Sequence, residues 1–151
     1  MKGFTREQRL ESFERQYQVG QVYKLFCTFT RPPKPKRLVL VSVEPSPLLL
    51  YINTNIPSIY VDKPILFDRQ VLMPVTNHSF MEYDSHIDCT KVITEFSKED
   101  IRRQVLYEMD RQLGTISDAT RQDIIKEITR SRPLELRYKM LALSGLEDSD
   151  K

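Results

Sequence analysis

Apolar side chains recur along this chain at more than one spacing, and each change of spacing marks a change of element. Leu10, Phe13 and Tyr17 fall three or four residues apart behind Thr5-Arg6-Glu7-Gln8. A Thr followed three residues later by Gln can close a capping box, in which each side chain satisfies a backbone N–H at the helix start. A short amphipathic helix is therefore predicted from about residue 6 to 17, ending before Gly20. From Gly20 to Ile93, β-branched and aromatic runs are separated by proline clusters. That texture predicts short strands at about 21–29, 37–43, 48–54, 69–74 and 86–93. Between them lie the stiff segment from Arg31 to Lys36, the Glu44-Pro45-Ser46-Pro47 turn, a longer stretch at 55–68, and a loop from Asn77 to Asp84.

After Ile93 the period becomes helical. Ser97 is placed to cap a helix carrying Ile101, Val105, Leu106 and Met109 on one face, with Gly114 as its stop after Leu113. A second helix is predicted from Ser117 or Asp118, burying Ile124, Ile125 and Ile128, and broken by Pro133. The tail from Leu134 to Leu146 mixes Leu136, Met140 and Leu143 with Arg137 and Lys139. It reads either as a third packed helix or as a helix that docks on a partner. Val22, Leu40, Leu50, Ile52 and Leu72 are expected to share the inward face of a strongly bent antiparallel sheet.

The chain has 151 residues, 40% of them hydrophobic and 29% charged, which is the composition of a globular protein with a real core. One domain over residues 1–151 is expected: an N-terminal helix at 1–18, the sheet and its helices at 19–133, and a tail at 134–151. A net charge of +2 is too small to argue for a polyanionic partner, so local clusters of Lys and Arg matter more. Cys27 and Cys89 stand far apart in apolar segments, as buried reduced thiols do. The N-terminal segment has no unbroken apolar stretch, and the longest apolar run, Leu48 to Ile52, is far too short for a bilayer. A soluble, cytoplasmic protein without membrane contact is expected.

Arg31, Lys34, Lys36 and Arg37 form the densest positive patch, on a segment that runs into the apolar strand Leu38 to Val41. Such a patch can hold a phosphate backbone, or it can simply be a solvated loop. In Asp84-Ser85-His86-Ile87-Asp88 the two-residue period puts Asp84, His86 and Asp88 on one strand face. That is the arrangement of a metal site or an acid–base pair, and equally of a solvent-facing strand with Ile87 and Cys89 turned inward. His78, beside Ser79 in a loop, reads as a surface histidine or as a titrating group. No Gly-rich phosphate loop, CxxC pair, HExxH or nucleophile elbow occurs, which argues against nucleotide hydrolases, zinc ribbons, zincins and serine hydrolases. No cofactor or metal is expected.

In order, Val19-Gly20-Gln21-Val22-Tyr23, then Lys36 to Ser42, then Leu49 to Thr54, and then Asp84-Ser85-His86-Ile87 resemble the successive blocks of MazF/PemK toxins over about residues 19 to 130. Gln21 stands where that family carries an acidic residue, Leu38 where a proline follows the arginine, and Lys91 where glutamine is common. The resemblance implies an α+β fold with a small bent antiparallel β-barrel, SH3-like and of the MazF/CcdB type, with an N-terminal helix and two or three C-terminal helices. It implies a homodimeric toxin of a toxin–antitoxin system, acting as a metal-independent endoribonuclease on single-stranded RNA and neutralised by a cognate antitoxin. Arg37 matches the family's phosphate-stabilising arginine and Thr54 its phosphate-holding hydroxyl, with Arg31, Lys34 and Lys36 as RNA-binding cations. The rival reading is a non-catalytic binding module on the same fold, such as a topoisomerase poison or a phage or defence interaction domain.

Overall fold

The computed structural model describes residues 3–148. Its centre is a six-stranded sheet in which every pairing is antiparallel, built from β1 (Gln21–Cys27), β2 (Lys34–Ser42), β3 (Leu48–Asn53), β4 (Gln70–Met73), β5 (Ser85–Asp88) and β6 (Gln112–Thr115). The spatial order is β4-β5-β3-β2-β1-β6. Five helices accompany it: α1 (Arg6–Gln16), α2 (Pro64–Phe67), α3 (Lys98–Tyr107), α4 (Asp118–Arg130) and α5 (Leu136–Asp148). The expected α+β class and antiparallel sheet are therefore present, as a curved half-barrel. Among the described residues, no helix is long and apolar enough to cross a membrane.

Both faces of the sheet are covered. Phe13 of α1 and Ile101 and Val105 of α3 pack with Tyr23, Leu25, Leu38, Leu40 and Leu49 on one face. On the other, Ile124 and Ile128 of α4 and Ala142 and Leu146 of α5 pack with Val22, Val39, Val41, Leu50 and Ile87. A central strand buried on both sides has no polar face, which is why Leu38 to Val41 and Leu48 to Leu50 are continuous apolar runs. The same continuity hides the strand parity. Leu40 pairs with Leu49 and belongs to the α1/α3 face, so it does not join Val22 and Leu50 as expected; Val39 does. Leu72 is likewise displaced: it lies opposite His86 and is 51% exposed, while Val71 opposite Ile87 enters the core. A one-residue shift moves a side chain to the other face, and an unbroken apolar run carries no alternation to set it.

The helix starts follow local chemistry. Thr5 and Ser97 each close a capping box, with Gln8 and Asp100 as the reciprocal partners, and Ser117 caps α4 through the N–H of Thr120. The predicted stop at Gly114 differs. α3 ends at Tyr107, and after a single turn at Met109–Arg111 the chain becomes β6, with Gly114 inside it. A Cβ at Gly114 would lie 2.5 Å from the Phe80 ring, so the glycine serves a close approach and not a helix end. The tail packs on α4 and β2 as a third C-terminal helix, the first of its two expected readings.

Phe80 lies in the β4–β5 connection, at the opposite end of the strand order from β6, so this contact closes the open side of the curved sheet. His78 ties the same connection to the start of α4. Its Nδ1 lies 2.7 Å from the carbonyl of Pro74, and its Nε2 accepts the backbone N–H of Ser117 at 2.9 Å. With one nitrogen accepting, the neutral ring donates through the other. The side chain is 0% exposed, so the surface-histidine expectation is corrected: a polar ring in a loop is buried when both its nitrogens find backbone partners. His78→Leu is expected to lower unfolding free energy by about 2 kcal/mol, because a buried carbonyl and a buried N–H lose their partner. Urea unfolding checks this.

Buried phenols make the fold sensitive to alkali. Burial, with Glu44 adding to it, pushes Tyr17 from 10.0 up to about 12, and burial with Cys27 pushes Tyr51 up to about 12. Burial, then Tyr17, also raises Tyr23. A folded-state value above the unfolded one stabilises fully below the unfolded value and is lost as pH rises through the folded one. Stability is thus expected to hold to about pH 10 and to fall between about 10 and 12. Circular dichroism across this range checks it: a folded spectrum that persists unchanged well beyond about pH 12 would contradict the expected loss.

Candidate anion-binding site

The basic segment of the sequence becomes the start of β2 and the turn before it. The Thr30 hydroxyl lies 3.1 Å from the carbonyl of Cys27 and 2.9 Å from that of Pro32, which holds the turn against the strand ends. Arg31 is exposed in this turn, and Arg31–Pro32 is a cis peptide bond. Helix α3 fixes the neighbouring end of β1: Gln104 accepts from the Phe26 N–H at 2.8 Å and donates to the Phe26 carbonyl at 3.2 Å.

Within β2, strand alternation separates the predicted cations. Lys34 lies opposite Cys27 and Lys36 opposite Leu25, on the α1/α3 face, whereas Arg37 lies between Lys24 and Ile52 on the α4/α5 face. Arg37 is half-buried, and its Nε is buried with no hydrogen-bond partner. Among the described residues no carboxylate forms an ion pair with it, in contrast to Arg69, which is bound to Glu127 at 2.5 Å. Thr54 is exposed in the bend immediately after β3, two residues beyond Ile52, the cross-strand neighbour of Arg37. No hydrogen bond joins Arg37 to Thr54, which is exposed at the rim of the sheet.

The opposite face carries the second group of polar residues. Lys36 Nζ donates to Asn53 Oδ1 at 2.7 Å and lies 5.0 Å from the centre of the Tyr51 ring. Lys91 Nζ lies 5.9 Å from the same ring. Burial, and then the charge of Lys34, hold the Lys36 ammonium below its usual value. Asn53 pairs with His86 across β3 and β5, so the basic segment and the Asp84–Asp88 stretch share one surface, which linear spacing did not reveal.

The members of that stretch have separate tasks. Asp84 accepts the N–H of Val75 at 2.9 Å. His86 is half-buried, with its Nδ1 buried and unpartnered. Asp88 is 3% exposed, which corrects the solvent-facing expectation. It accepts from the Tyr60 hydroxyl, the Gln70 amide, and the Thr90 N–H and hydroxyl at 2.5–3.1 Å, a set that stabilises a buried carboxylate without a cation. Among the described residues no cluster of three or more His, Cys, Asp or Glu is placed to hold a metal.

No protein-family model matches this chain, and no curated protein matches its sequence. The site therefore stands on its own geometry. Tyr51, Asn53 and Lys91 are the members that sequence reasoning missed as a group. They come from a strand and from a loop about forty residues further on, and the antiparallel bridge between Leu49 and Ile93 brings the two segments together. A cleft of about 680 Å³ lies at the other end of β2, between Ser42, Gly20, Glu44 and Gly145.

Proposed function

We propose that this protein binds single-stranded RNA at the exposed end of β2 and cleaves it without metal, as a toxin of the MazF/PemK type. The observation that carries this reading is the Arg37 guanidinium: half-buried, its Nε without a partner, and unmatched by any carboxylate among the described residues. A desolvated cation with unspent donors is a site for an anion, and the planar fork suits the two non-bridging oxygens of a phosphodiester. The RNA supplies its own nucleophile. The ribose 2′-oxygen forms a bond to the adjacent phosphorus, the bond from phosphorus to the 5′-oxygen breaks, and the 2′-hydroxyl proton passes to solvent while the leaving oxygen gains one. Arg37 would hold the charge growing on the phosphoryl oxygens, and Thr54, at the rim of the same sheet end, would donate to the phosphate as RNA docks. Arg31, Lys34 and Lys36 would bind the flanking backbone.

The SH3-like barrel assignment, the homodimer, the cytoplasmic location and an antitoxin covering Arg37 and Thr54 belong to the same proposal. One observation favours the non-catalytic alternative: Ile59, Val61, Ile65, Phe67 and Leu72 are all exposed, on β4 and the segment leading into it, as at a protein-docking surface. Incubation of the purified protein with end-labelled single-stranded RNA in EDTA separates the two. Cleavage products ending in a cyclic phosphate and a 5′-hydroxyl support the enzyme. Retention without cleavage makes the protein an RNA binder and not a nuclease, and neither retention nor cleavage removes RNA from consideration and supports the protein-docking module. Light scattering on the same sample tests the dimer.

A further inference from the structure

On the face of β2 opposite Arg37, we infer that Lys36 and Lys91, together with Asn53, form a second phosphate subsite over Tyr51, which takes the backbone of single-stranded RNA as it passes around the end of the sheet. This deepens the proposed function and rests on it for the identity of the polymer.

Two ammonium groups approach one aromatic ring, at 5.0 and 5.9 Å from its centre, and Lys34 adds a third positive charge nearby. Among the described residues none of the three forms an ion pair with a carboxylate, although eight such bridges occur elsewhere among them. The two acids whose fields reach this surface are occupied. Asp88 accepts from Tyr60, Gln70 and Thr90, and Glu95 accepts the Thr94 N–H at 3.1 Å. Lys36 is half-buried, so its charge is desolvated and repelled by Lys34, and the weaker attraction of Asp88 does not offset these effects. An arrangement of like charges that is unfavourable when empty becomes favourable when an anion sits among them. The hydrogen bond from Lys36 engages Asn53 Oδ1 and leaves the asparagine amide N–H groups to donate to a phosphate oxygen. The Tyr51 ring attracts both ammonium groups by cation–π interaction.

The site offers cations and an amide, the groups that hold phosphate, so it reads backbone and not sequence. Arg37 and Lys36 are adjacent on β2 and point to opposite faces, so a strand bound at both must bend around the sheet end between β2 and β3.

The test uses the full chain and a fluorescent oligouridylate, with cleavage blocked by 2′-O-methyl groups throughout, titrated across a salt series. The double variant K36M/K91M is expected to bind at least tenfold more weakly. Its slope of log affinity against log salt should be shallower by about 1.4, since each phosphate contact on a single strand contributes about 0.7. K91M alone, at an exposed position where folding is not at issue, should lose about half of that slope. Inorganic phosphate, followed through the Lys36 and Lys91 side-chain NMR signals, should shift both and compete with the oligonucleotide. An unchanged slope in both variants overturns the subsite even where ribonuclease activity persists. An altered slope without any ribonuclease activity keeps the subsite and removes the enzyme. Failure of the parent protein to bind either the oligonucleotide or phosphate overturns it outright. So does equal, lysine-dependent binding of polyglutamate, since the surface would then be a site for acidic peptides.

Discussion

If the protein cleaves RNA as proposed, Arg37→Ala is expected to lower the rate by about 10²–10³-fold, the usual consequence of removing one preorganised donor from a developing oxyanion. The fold should survive. Arg37 makes no ion pair and its Nε no hydrogen bond among the described residues, so removing the guanidinium leaves no partner stranded. Arg37→Lys should recover only part of the rate, because a point charge cannot grip two phosphate oxygens. Thr54→Val is the companion: it preserves the β-branched shape and deletes the hydroxyl at a position where the side chain is exposed, so any loss is catalytic and not structural. Single-turnover cleavage with saturating enzyme checks both. Parent-like rates in the two variants would remove Arg37 and Thr54 from the chemistry.

Gly145→Leu should destabilise the protein by about 3 kcal/mol or more, the upper part of the range for overpacking. In isolation the change would favour helix, since glycine costs about 1 kcal/mol relative to good helix formers. Packing reverses the sign. A Cβ at Gly145 would lie 2.4 Å from the carbonyl oxygen of Val41 and 3.3 Å from the Cα of Ser42, and backbone in a central strand cannot move aside as a side chain can. The expected result is that α5 lifts from β2, exposing Ala142 and Leu146, with a lower urea midpoint and increased protease cleavage after α4. Met140→Ala on the exposed side of the same helix is the control and should change stability little. If Gly145→Leu unfolds like the parent, α5 does not rest on the sheet, and the tail becomes a free segment for a partner.

Local signals located most of the helices. Thr5, Ser97 and Ser117 mark their starts because capping is chemistry between a side chain and its own next turn, complete within four residues. Strand positions from Gln21 to Asn53 were legible for a similar reason, since β-branched runs ended by proline clusters have few alternatives. Gly114 misled because glycine has more than one use: its position after a helical pattern suggests a stop, while its actual role is to admit the Phe80 ring, which comes from a loop more than thirty residues away. Of the candidate site, the cations and Thr54 were visible as residue types, but their grouping was not. Lys36 and Arg37 are neighbours in sequence and lie on opposite faces, while Lys36 and Lys91 are distant in sequence and converge on one ring.

The amino-acid sequence by itself determined where α1, α3 and α4 are capped, roughly where β1 to β5 fall, that the sheet is antiparallel with helices following it, and that a cluster of cations leads into β2. These depend on interactions over a few residues and on the composition of short runs. The sequence did not show α2, β6 or the extension of β2 back to Lys34. The tertiary structure alone decided which way each side chain faces. It put Leu40 against α1 and α3, turned Leu72 to solvent, buried His78 between Pro74 and Ser117, and divided the cations between two faces of the sheet. The reason is physical. In a strand covered on both sides, the apolar run is compatible with either parity, and only pairing with its neighbours and the packing of α1, α3, α4 and α5 selects one.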